Sequence, residues 1–271
     1  MKSIYIPFIT ISLFIPIKGS FEHNEHGNRS TEIVTNAKGC DGFGSQFQDI
    51  IASAIYAELN NKKYVYTPFK MMEHNYNNDA DFIAKKEWLI NFIDNFEVNE
   101  DYTLQRQTQY RTFFDKHIPE CANSLTLKKI KHIFRANKNP DNYFNTNNLN
   151  IAIHIRRPNP HDNRIDGSDT PEQLFLDIIT QLRNIYAAQN PIIHLFSQGE
   201  SECFNAFVAQ DVVLHLNESV EDTFTAMVLA DVLVASRSSF SYAAGLLSEG
   251  IIPFWHSPLP NWLAVETLFR K

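Results

Sequence analysis

The second half of the chain alternates short apolar runs with longer amphipathic stretches. A short apolar run bounded by polar residues or glycine is typical of a buried strand, and apolar residues three and four apart are typical of a helix. This pattern predicts strands at 151–155, 192–196, 212–216, 232–235 and 251–254, and helices at 171–188, 200–208, 220–229 and 240–247. Strands that alternate with helices form parallel sheets with helices on both faces. We therefore expect an α/β fold.

The first half begins with a similar unit. EIVTNA predicts a strand, KGCDGFGSQ a glycine-rich turn, FQDIIASAIYAELNNK a helix and KYVYTPF a second strand. Further along, AKKEWLINFIDNF, TLQRQTQYRTFFDKHI and NSLTLKKIKHIFRAN carry the apolar spacing of helices. The asparagine-rich stretch 137–148 is predicted to be a linker. The expected organisation is an N-terminal domain at 31–140 and a C-terminal domain at 149–271.

Residues 1–30 are predicted to be a signal or anchor segment followed by a linker. MKSIYIPFITISLFIPIKGS has a lysine and then a short uncharged apolar stretch, which is typical of a secretory signal. Pro7 and Pro16 leave a β-rich start to the fold as the alternative. A signal or anchor implies the secretory pathway or a membrane association, and without one a cytoplasmic location is expected.

Net charge and cysteine content exclude several classes of protein. The 271 residues carry a formal charge of -7, so no overall field attracts nucleic acid or an anionic membrane. Membrane contact is expected only through an N-terminal anchor. Three widely spaced cysteines without a CxxC predict neither a disulfide framework nor a zinc site.

Two adjacent arginines follow the first strand of the second half, in IAIHIRRPNP. Ligands of open parallel sheets bind at the carboxyl ends of the strands. His154, Arg156 and Arg157 are therefore predicted to face a ligand. Because the forked guanidinium group suits a phosphate or a diphosphate, we expect that ligand to be an anion.

A serine-rich junction lies later in the same half, in DVLVASRSSFSYAAGLL. Ser236, Ser238 and Ser239 stand between a predicted strand and a helix that is predicted to begin near Phe240. The N–H groups and the dipole of a helix N-terminus favour an anion, and serines there also act as helix caps. This stretch alone leaves both roles open.

The third candidate is the glycine-rich stretch GCDGFGSQF. Gly39, Gly42 and Gly44 permit positive φ and close approach of the backbone to a ligand, although a tight structural turn is the alternative. The spacing is neither GxGxxG nor a Walker motif, which disfavours a dehydrogenase or a P-loop enzyme. The chain also has no GxSxG elbow, so a triad hydrolase is not expected.

Carboxylates and a histidine near this stretch are candidate general bases for transfer to a hydroxyl group. Asp41 is preferred because it sits inside the turn that faces the expected cleft. Asp49, Glu73 and His74 are the other candidates. The string Asp79-Ala80-Asp81 follows polar residues rather than a strand, and is therefore predicted to be a solvated loop. Fixed cations and helix N-termini, rather than a metal ion, are then expected to stabilise a diphosphate.

Three stretches together resemble motifs of the α1,2-, α1,6- and protein O-fucosyltransferase superfamily. HIRRPN resembles its H-x-R-R-x-D/N signature, GFGSQFQ its G-x-G-N-Q-x-F-Q loop, and ADVLVASRSSFSYAAGLL its D-x-x-x-x-S-x-S-S/T-F-S-x-x-A block. The resemblance covers about residues 32–255. It implies the GT-B architecture of two facing Rossmann-like domains, and inverting transfer of fucose from GDP-fucose without a metal. The implied partners are a nucleotide-sugar donor and a glycan or glycoprotein acceptor, with no nucleic acid.

The resemblance also implies roles for individual residues. Arg156 would hold the β-phosphate with support from Arg157, His154 would line the nucleotide pocket, and Ser197 would lie near the guanine or the ribose. The other implied contacts are Gly42, Phe43, Gly44, Ser45 and Gln46 in the first loop, and Ser236, Ser238, Ser239 and Phe240 at the serine-rich junction.

Three positions depart from the superfamily pattern. Pro158, Asn159 and Ser45 stand where many members have glycine, aspartate and asparagine. The alternative hypothesis is therefore a non-catalytic relative that binds a glycan or a nucleotide. Turnover would separate it from an enzyme with Arg156 and Asp41 as catalytic residues.

Overall fold

The computed structural model describes residues 32–36, 39–99, 109–157 and 172–253. In these ranges the strands are β1 (Ile33–Thr35), β2 (Lys63–Val65), β3 (Asn150–His154), β4 (Ile192–Ser197), β5 (Val213–Leu216) and β6 (Val232–Val234). The helices are α1 (Phe43–Leu59), α2 (Phe82–Ile90), α3 (Gln109–Lys116), α4 (Ile118–Asn123), α5 (Leu125–Arg135), α6 (Glu172–Ile185), α7 (Asn205–Val208), α8 (Val220–Leu229) and α9 (Ser239–Leu247). Short 3₁₀ segments lie at Pro140–Asn142, Ala187–Gln189 and Ser201–Phe204.

The larger sheet belongs to the second half of the chain. Its strands are parallel in the order β5-β4-β3-β6. Strand β3 is central, paired with β4 from Asn150 opposite Ile192 to His154 opposite Phe196, and with β6 on its other side. The carboxyl ends of the four strands therefore meet at one edge of the sheet.

Side chains of β3 alternate between two cores. Ile151 and Ile153 belong to a buried cluster with Phe175 of α6, whereas Ala152 belongs to a second cluster with Phe224 of α8. Successive residues of a strand point to opposite faces, so helices cover both faces of the sheet. The prediction of an α/β fold with parallel sheets and helices on both faces is confirmed.

The first half contributes a parallel pair of strands, β1 beside β2, connected by α1. Beyond the strands, the hydroxyl groups of Thr35 and Thr67 share a hydrogen bond of 2.6 Å. The side-chain amide of Asn36 accepts from the N–H of Thr67 at 2.9 Å and donates to its carbonyl at 2.7 Å. These bonds fix the two segments that lead into the loops before α1 and α2.

The larger of the two buried clusters contains residues of both halves of the chain. It includes Phe47 of α1, Phe134 of α5 and Phe224 of α8. An ion pair adds a polar link between the halves, since Nζ of the buried Lys86 on α2 lies 2.6 Å from Oε1 of the half-buried Glu221 on α8. The predicted division into two domains stays a prediction.

Helix α1 begins at Phe43, whereas the sequence pattern predicts its start at Phe47. Gly44, Ser45 and Gln46 therefore lie in its first turn rather than in a loop. A Cβ on Gly44 would lie 2.4 Å from Cα of Phe240, so only the absence of a side chain lets α1 cross α9 at this distance. Gly44 serves close helix packing, and its φ is not positive.

Three further elements differ from the sequence predictions. Residues 200–208 form a 3₁₀ segment and the single turn α7 instead of one helix. The strand predicted at 251–254 contributes an isolated parallel bridge between Ile251 and Val232, and Phe254 lies outside the described residues. Helix α4 was not predicted, because its 6 residues are too few to show a helical period.

Other sequence predictions concern residues outside the described ranges. They include the signal or anchor segment at 1–30 and the departures at Pro158 and Asn159. Among the described residues, no helix has the length and apolar character that crossing a membrane requires. The three cysteines are free thiols, with Cys121 buried and the other two exposed.

Candidate functional site

A cavity of about 210 Å³ lies at the carboxyl ends of the strands. Its walls come from the loops after β1, β2, β3, β4 and β5 and from the start of α9. Twelve of the predicted catalytic and binding residues line it: Asp41, Gly42, Phe43, Gly44, Ser45, His154, Arg156, Arg157, Ser197, Ser238, Ser239 and Phe240. The further candidate bases Glu73 and His74 also line it. The fold therefore brings all three candidate motifs to one place.

The two arginines extend from the end of β3 and are half-buried. Nη2 of Arg157 lies 3.5 Å from Oε2 of Glu172 at the start of α6. Its guanidinium carbon lies 5.5 Å from the ring centroid of Phe204. These two contacts orient Arg157 beside Arg156, and the two residues form a cationic wall of the cavity.

His154, the last residue of β3, is buried and neutral. Its Nδ1 shares a 2.8 Å hydrogen bond with Oγ of Ser236, and its ring packs edge-on against Phe240. Burial, and then the charge of Arg156, lower the pKa of His154 to about 4. The imidazole can therefore hydrogen-bond a ligand through its other nitrogen without adding positive charge.

The lowered pKa of His154 predicts that the folded protein loses stability in acid. An unperturbed histidine has a pKa of about 6.5, so between pH 6.5 and pH 4 the unfolded state binds more protons than the folded state. The contribution of His154 to stability is complete above this window and is lost as the pH falls through it, by about 3 kcal/mol. Urea unfolding across the window should therefore show a shallower pH dependence for His154→Gln than for the wild-type protein. Equal slopes for the two proteins would contradict the assignment of a buried, neutral His154.

Helix α9 begins at the cavity with Ser238 as its N-cap. Oγ of Ser238 accepts from the N–H of Phe240 at 3.2 Å, and its carbonyl accepts from the N–H of Tyr242 at 3.0 Å. Strand β6, which leads into this cap, is paired with β3, so the helix N-terminus and the arginines follow neighbouring strands. Ser238 is therefore a cap, and the positive end of the helix dipole also faces the cavity.

Two predicted contacts, Ser236 and Gln46, are not among the residues that line the cavity. The hydroxyl of Ser236 is engaged by His154. The side-chain amide of Gln46 donates to the carbonyls of Asp41 and Met71 at 2.6 and 2.9 Å. Because α1 begins at Phe43, Gln46 lies in the first turn, where a helical side chain points back toward the preceding loop. Both residues support the cavity wall from behind.

The candidate bases near α1 are placed differently from one another. Asp41 is exposed and lines the cavity, and its Oδ1 accepts from the N–H of Gly42 at 2.8 Å. Asp49 is not among the lining residues and pairs with Nε of Arg111 at 2.5 Å. The same arginine donates to the hydroxyl of Ser45 at 2.8 Å and to its carbonyl. Of the two aspartates, only Asp41 has access to a ligand in the cavity.

The loop after β2 contributes Glu73, His74 and Tyr76 to the wall. Nδ1 of His74 and the hydroxyl of Tyr76 share a hydrogen bond. A Cβ on Gly42 would lie 2.7 Å from Cδ2 of His74, so this glycine lets the two loops pack together. The asparagine-rich sequence around Tyr76 carries no pattern that would have placed it here.

Glu218 lines the cavity and was not predicted from the sequence. It follows β5, and its Oε1 lies 2.8 Å from Nδ1 of His215. Nε2 of His215 lies 3.0 Å from Nδ1 of His194, whose pKa is lowered to about 4 by burial and then by His215. A carboxylate is thus oriented two strands away from β3. Its position after a strand end is the signal that could have identified it.

The cavity therefore has two chemically different ends. At the β3 and β6 end, two guanidinium groups and a helix N-terminus favour an anion. At the β5 end, the Glu218 carboxylate accepts hydrogen bonds from N–H or O–H groups. A molecule with phosphate at one end and a ring bearing N–H groups at the other end matches this arrangement.

The described residues include no group of three or more His, Cys, Asp or Glu side chains that could hold a metal ion. Asp79 and Asp81 lie in the turn before α2 and do not line the cavity. Nζ of Lys85 lies 2.6 Å from Oδ2 of Asp79, and this hydrogen bond holds the pKa of Asp79 below its usual value. Independence from a metal stays a prediction.

No protein-family model matches the sequence, and no curated protein matches it. Among solved structures, crystal structures of POFUT1 match at 12% identity: one in complex with GDP over 83% of this chain and 98% of that chain, with a TM-score of 0.44, and one in complex with GDP-fucose over 83% and 97%, with a TM-score of 0.45. The fucosyltransferase NodZ from Bradyrhizobium matches at 10% identity over 81% of this chain and 94% of that chain, with a TM-score of 0.43.

Proposed function

We propose that this protein is a glycosyltransferase that transfers fucose from GDP-fucose to a hydroxyl group of a glycan or glycoprotein, with inversion and without a metal ion. The observation that carries the proposal is the convergence of Arg156, Arg157 and the N-terminus of α9 on one cavity. The motifs that contain these residues resemble those of fucosyltransferases, which supports the choice of donor.

The cationic end of the cavity suits a leaving diphosphate. Negative charge grows on the diphosphate as its bond to the sugar breaks, and preorganised cations and N–H groups stabilise that charge. Arg156 would bind the β-phosphate through two parallel hydrogen bonds. Arg157, oriented by Glu172, would add positive charge, and the α9 N-terminus would supply N–H donors. These groups supply the charge that a metal ion would otherwise provide.

The β5 end of the cavity suits a guanine base. Guanine carries an N–H and an amino group on one edge, a pair that the two oxygens of a carboxylate can accept. Glu218, oriented by His215, would make this contact. Ser197, at the end of β4, lines the cavity between the two ends, and neutral His154 lines it at the end of β3, so we assign both residues to the nucleoside. This arrangement favours GDP over UDP.

Asp41 is the proposed general base. In the transfer step, the acceptor hydroxyl oxygen would form a bond to C1 of the sugar while the bond between C1 and the β-phosphate oxygen breaks. The hydroxyl proton would pass to the carboxylate of Asp41, and the electron pair of the broken bond would remain on GDP near Arg156. Attack from the side opposite the leaving group inverts the configuration at C1.

One observation favours the alternative, a relative that binds the nucleotide without transferring the sugar. Ser45 stands at the position of the superfamily's loop asparagine, and its hydroxyl is engaged by Arg111. The loop therefore offers no free amide at this position. If the protein binds GDP but does not turn over GDP-fucose, it is a nucleotide-binding relative and not an enzyme.

Calorimetric titration of the full chain with GDP and with UDP, both in EDTA, tests the proposal. We expect GDP to bind about tenfold more tightly than UDP, the equivalent of one charge-assisted hydrogen bond. Glu218→Gln should remove most of that difference, while Glu202→Gln, an exposed change on the 3₁₀ segment after β4, should leave it unchanged.

Binding of neither nucleotide, or preference for UDP, would contradict the proposed donor. GDP binding that requires an added divalent ion would contradict metal independence. With GDP-fucose and a set of glycan and glycoprotein acceptors, release of GDP that depends on an acceptor would identify an enzyme. GDP binding without such release would identify the non-catalytic alternative.

A further inference from the structure

A second cavity of about 170 Å³ lies beside the first, between α1, α3 and α9. None of the motifs identified in the sequence predicts a second cavity. Its polar lining consists of Gln48, Arg111, Asp115 and Ser239. Its other lining residues are Ala52, Phe114, Tyr242 and Leu246. The wall of the cavity thus combines polar and apolar groups.

Two acceptor groups of this cavity are available to a ligand. The amide nitrogen of Gln48 donates to the carbonyl of Ser239 at 2.8 Å, and within the described part of the chain its Oε1 accepts no hydrogen bond. The carboxylate of Asp115 likewise accepts none from the described residues. Burial raises the pKa of Asp115 in spite of the neighbouring Arg111 charge. A ligand that donates hydrogen bonds would therefore offset the cost of burying this carboxylate.

The second cavity is joined to the first through shared residues. Ser239 lines both cavities. Arg111 lines the second cavity, and it donates to the hydroxyl of Ser45, which lines the first. A molecule in the second cavity would thus lie next to the cavity assigned to the donor, on the side formed by α1.

The lining has the chemistry that a sugar ring requires. A pyranose ring carries hydroxyl groups around its edge, each of which donates and accepts hydrogen bonds. Its C–H groups are apolar and suit the apolar part of the wall, to which Ala52, Phe114 and Leu246 contribute. Arg111 is already paired with Asp49, so the cavity offers no unbalanced cation to attract a second phosphate.

We propose that the second cavity binds a saccharide ring of the acceptor, with Asp115 and Gln48 accepting hydrogen bonds from its hydroxyl groups. This inference rests on the proposed function, because it places the acceptor beside the nucleotide-sugar donor.

Saturation-transfer NMR on the full chain tests the inference with three probes: methyl β-galactoside, methyl β-N-acetylglucosaminide and methyl α-mannoside. We expect signal from at least one glycoside with the wild-type protein. Asp115→Asn should weaken its binding about tenfold, since it exchanges a charged acceptor for a neutral one. Asp94→Asn, an exposed change after α2, is the matched control and should leave binding unchanged.

A second variant guards against a folding effect at Asp115. Ala52→Leu adds bulk to the wall of the second cavity and should also abolish the glycoside signal, while GDP affinity stays within twofold in both variants. Absence of signal from all three glycosides, or equal signal in both variants and the wild-type protein, would overturn the inference. If glycoside binding depends on Asp115 but GDP does not bind, the saccharide site stands and the proposed donor fails.

Discussion

Replacement of Arg156 by alanine should weaken GDP binding about 100-fold, or by about 3 kcal/mol, and leave the fold intact. The arginine lies at the end of a central strand, is half-buried and lines the cavity beside the α9 N-terminus. Its loss would remove two charge-assisted hydrogen bonds to the β-phosphate. Transfer should fall further, by about 100- to 1000-fold in kcat, because the same group would stabilise charge that develops in the transition state.

Two further variants show whether Arg156 acts in GDP binding through its geometry or through its charge. Arg156→Lys keeps the charge but loses the forked donors, and should therefore have an affinity between those of wild type and Arg156→Ala. Arg237→Ala removes a neighbouring exposed arginine that does not line the cavity, and GDP affinity should be unchanged. Calorimetry with GDP measures all three variants, and circular dichroism checks their folding. Unchanged GDP affinity in a folded Arg156→Ala protein would remove this residue from the proposed site.

The sequence predicts well which side chains line the cavity where their position along a strand determines the outcome. His154 lies near the end of a predicted strand, and Arg156 and Ser197 follow predicted strands. Parallel pairing is sufficient to bring these strand ends to one edge of the sheet. Ser238 is predictable for a similar reason, because a serine that directly precedes a helix can cap it through a local hydrogen bond.

Prediction is weaker where a side chain's direction depends on a distant partner. Ser236 is expected at the anion but is hydrogen-bonded to His154, and Gln46 is expected at the donor but is bonded to the loop carbonyls of Asp41 and Met71. Glu218 is oriented by His215, a contact that no local pattern signals. In each case tertiary packing, rather than local sequence, decides which way the side chain points.

The close crossing of α1 and α9 also depends on tertiary packing rather than on local sequence. Both cavities have walls on these two helices, and Gln48 on α1 bonds the carbonyl of Ser239 at the start of α9. The separation of the helices at their closest point depends on Gly44. Any side chain at this position would move the second half of the chain, which carries Arg156 and Arg157, relative to the glycine-rich loop.

Gly44→Ala should therefore destabilise the protein by about 3 kcal/mol and weaken GDP binding at the same time. The new Cβ would lie 2.4 Å from both N and Cα of Phe240 and 2.6 Å from the carbonyl carbon of Ser239. These are backbone atoms, so no rotation of a side chain relieves the clash and the two helices must separate.

Gly245→Ala is the matched control, because its Cβ would lie 3.4 Å from the tip of the Ile252 side chain. Alanine is the better helix former, so this change should be tolerated or should stabilise α9 by up to about 1 kcal/mol. Urea unfolding and GDP titration of both variants measure the effect, and equal stability of Gly44→Ala and wild type would show that the crossing does not depend on this glycine.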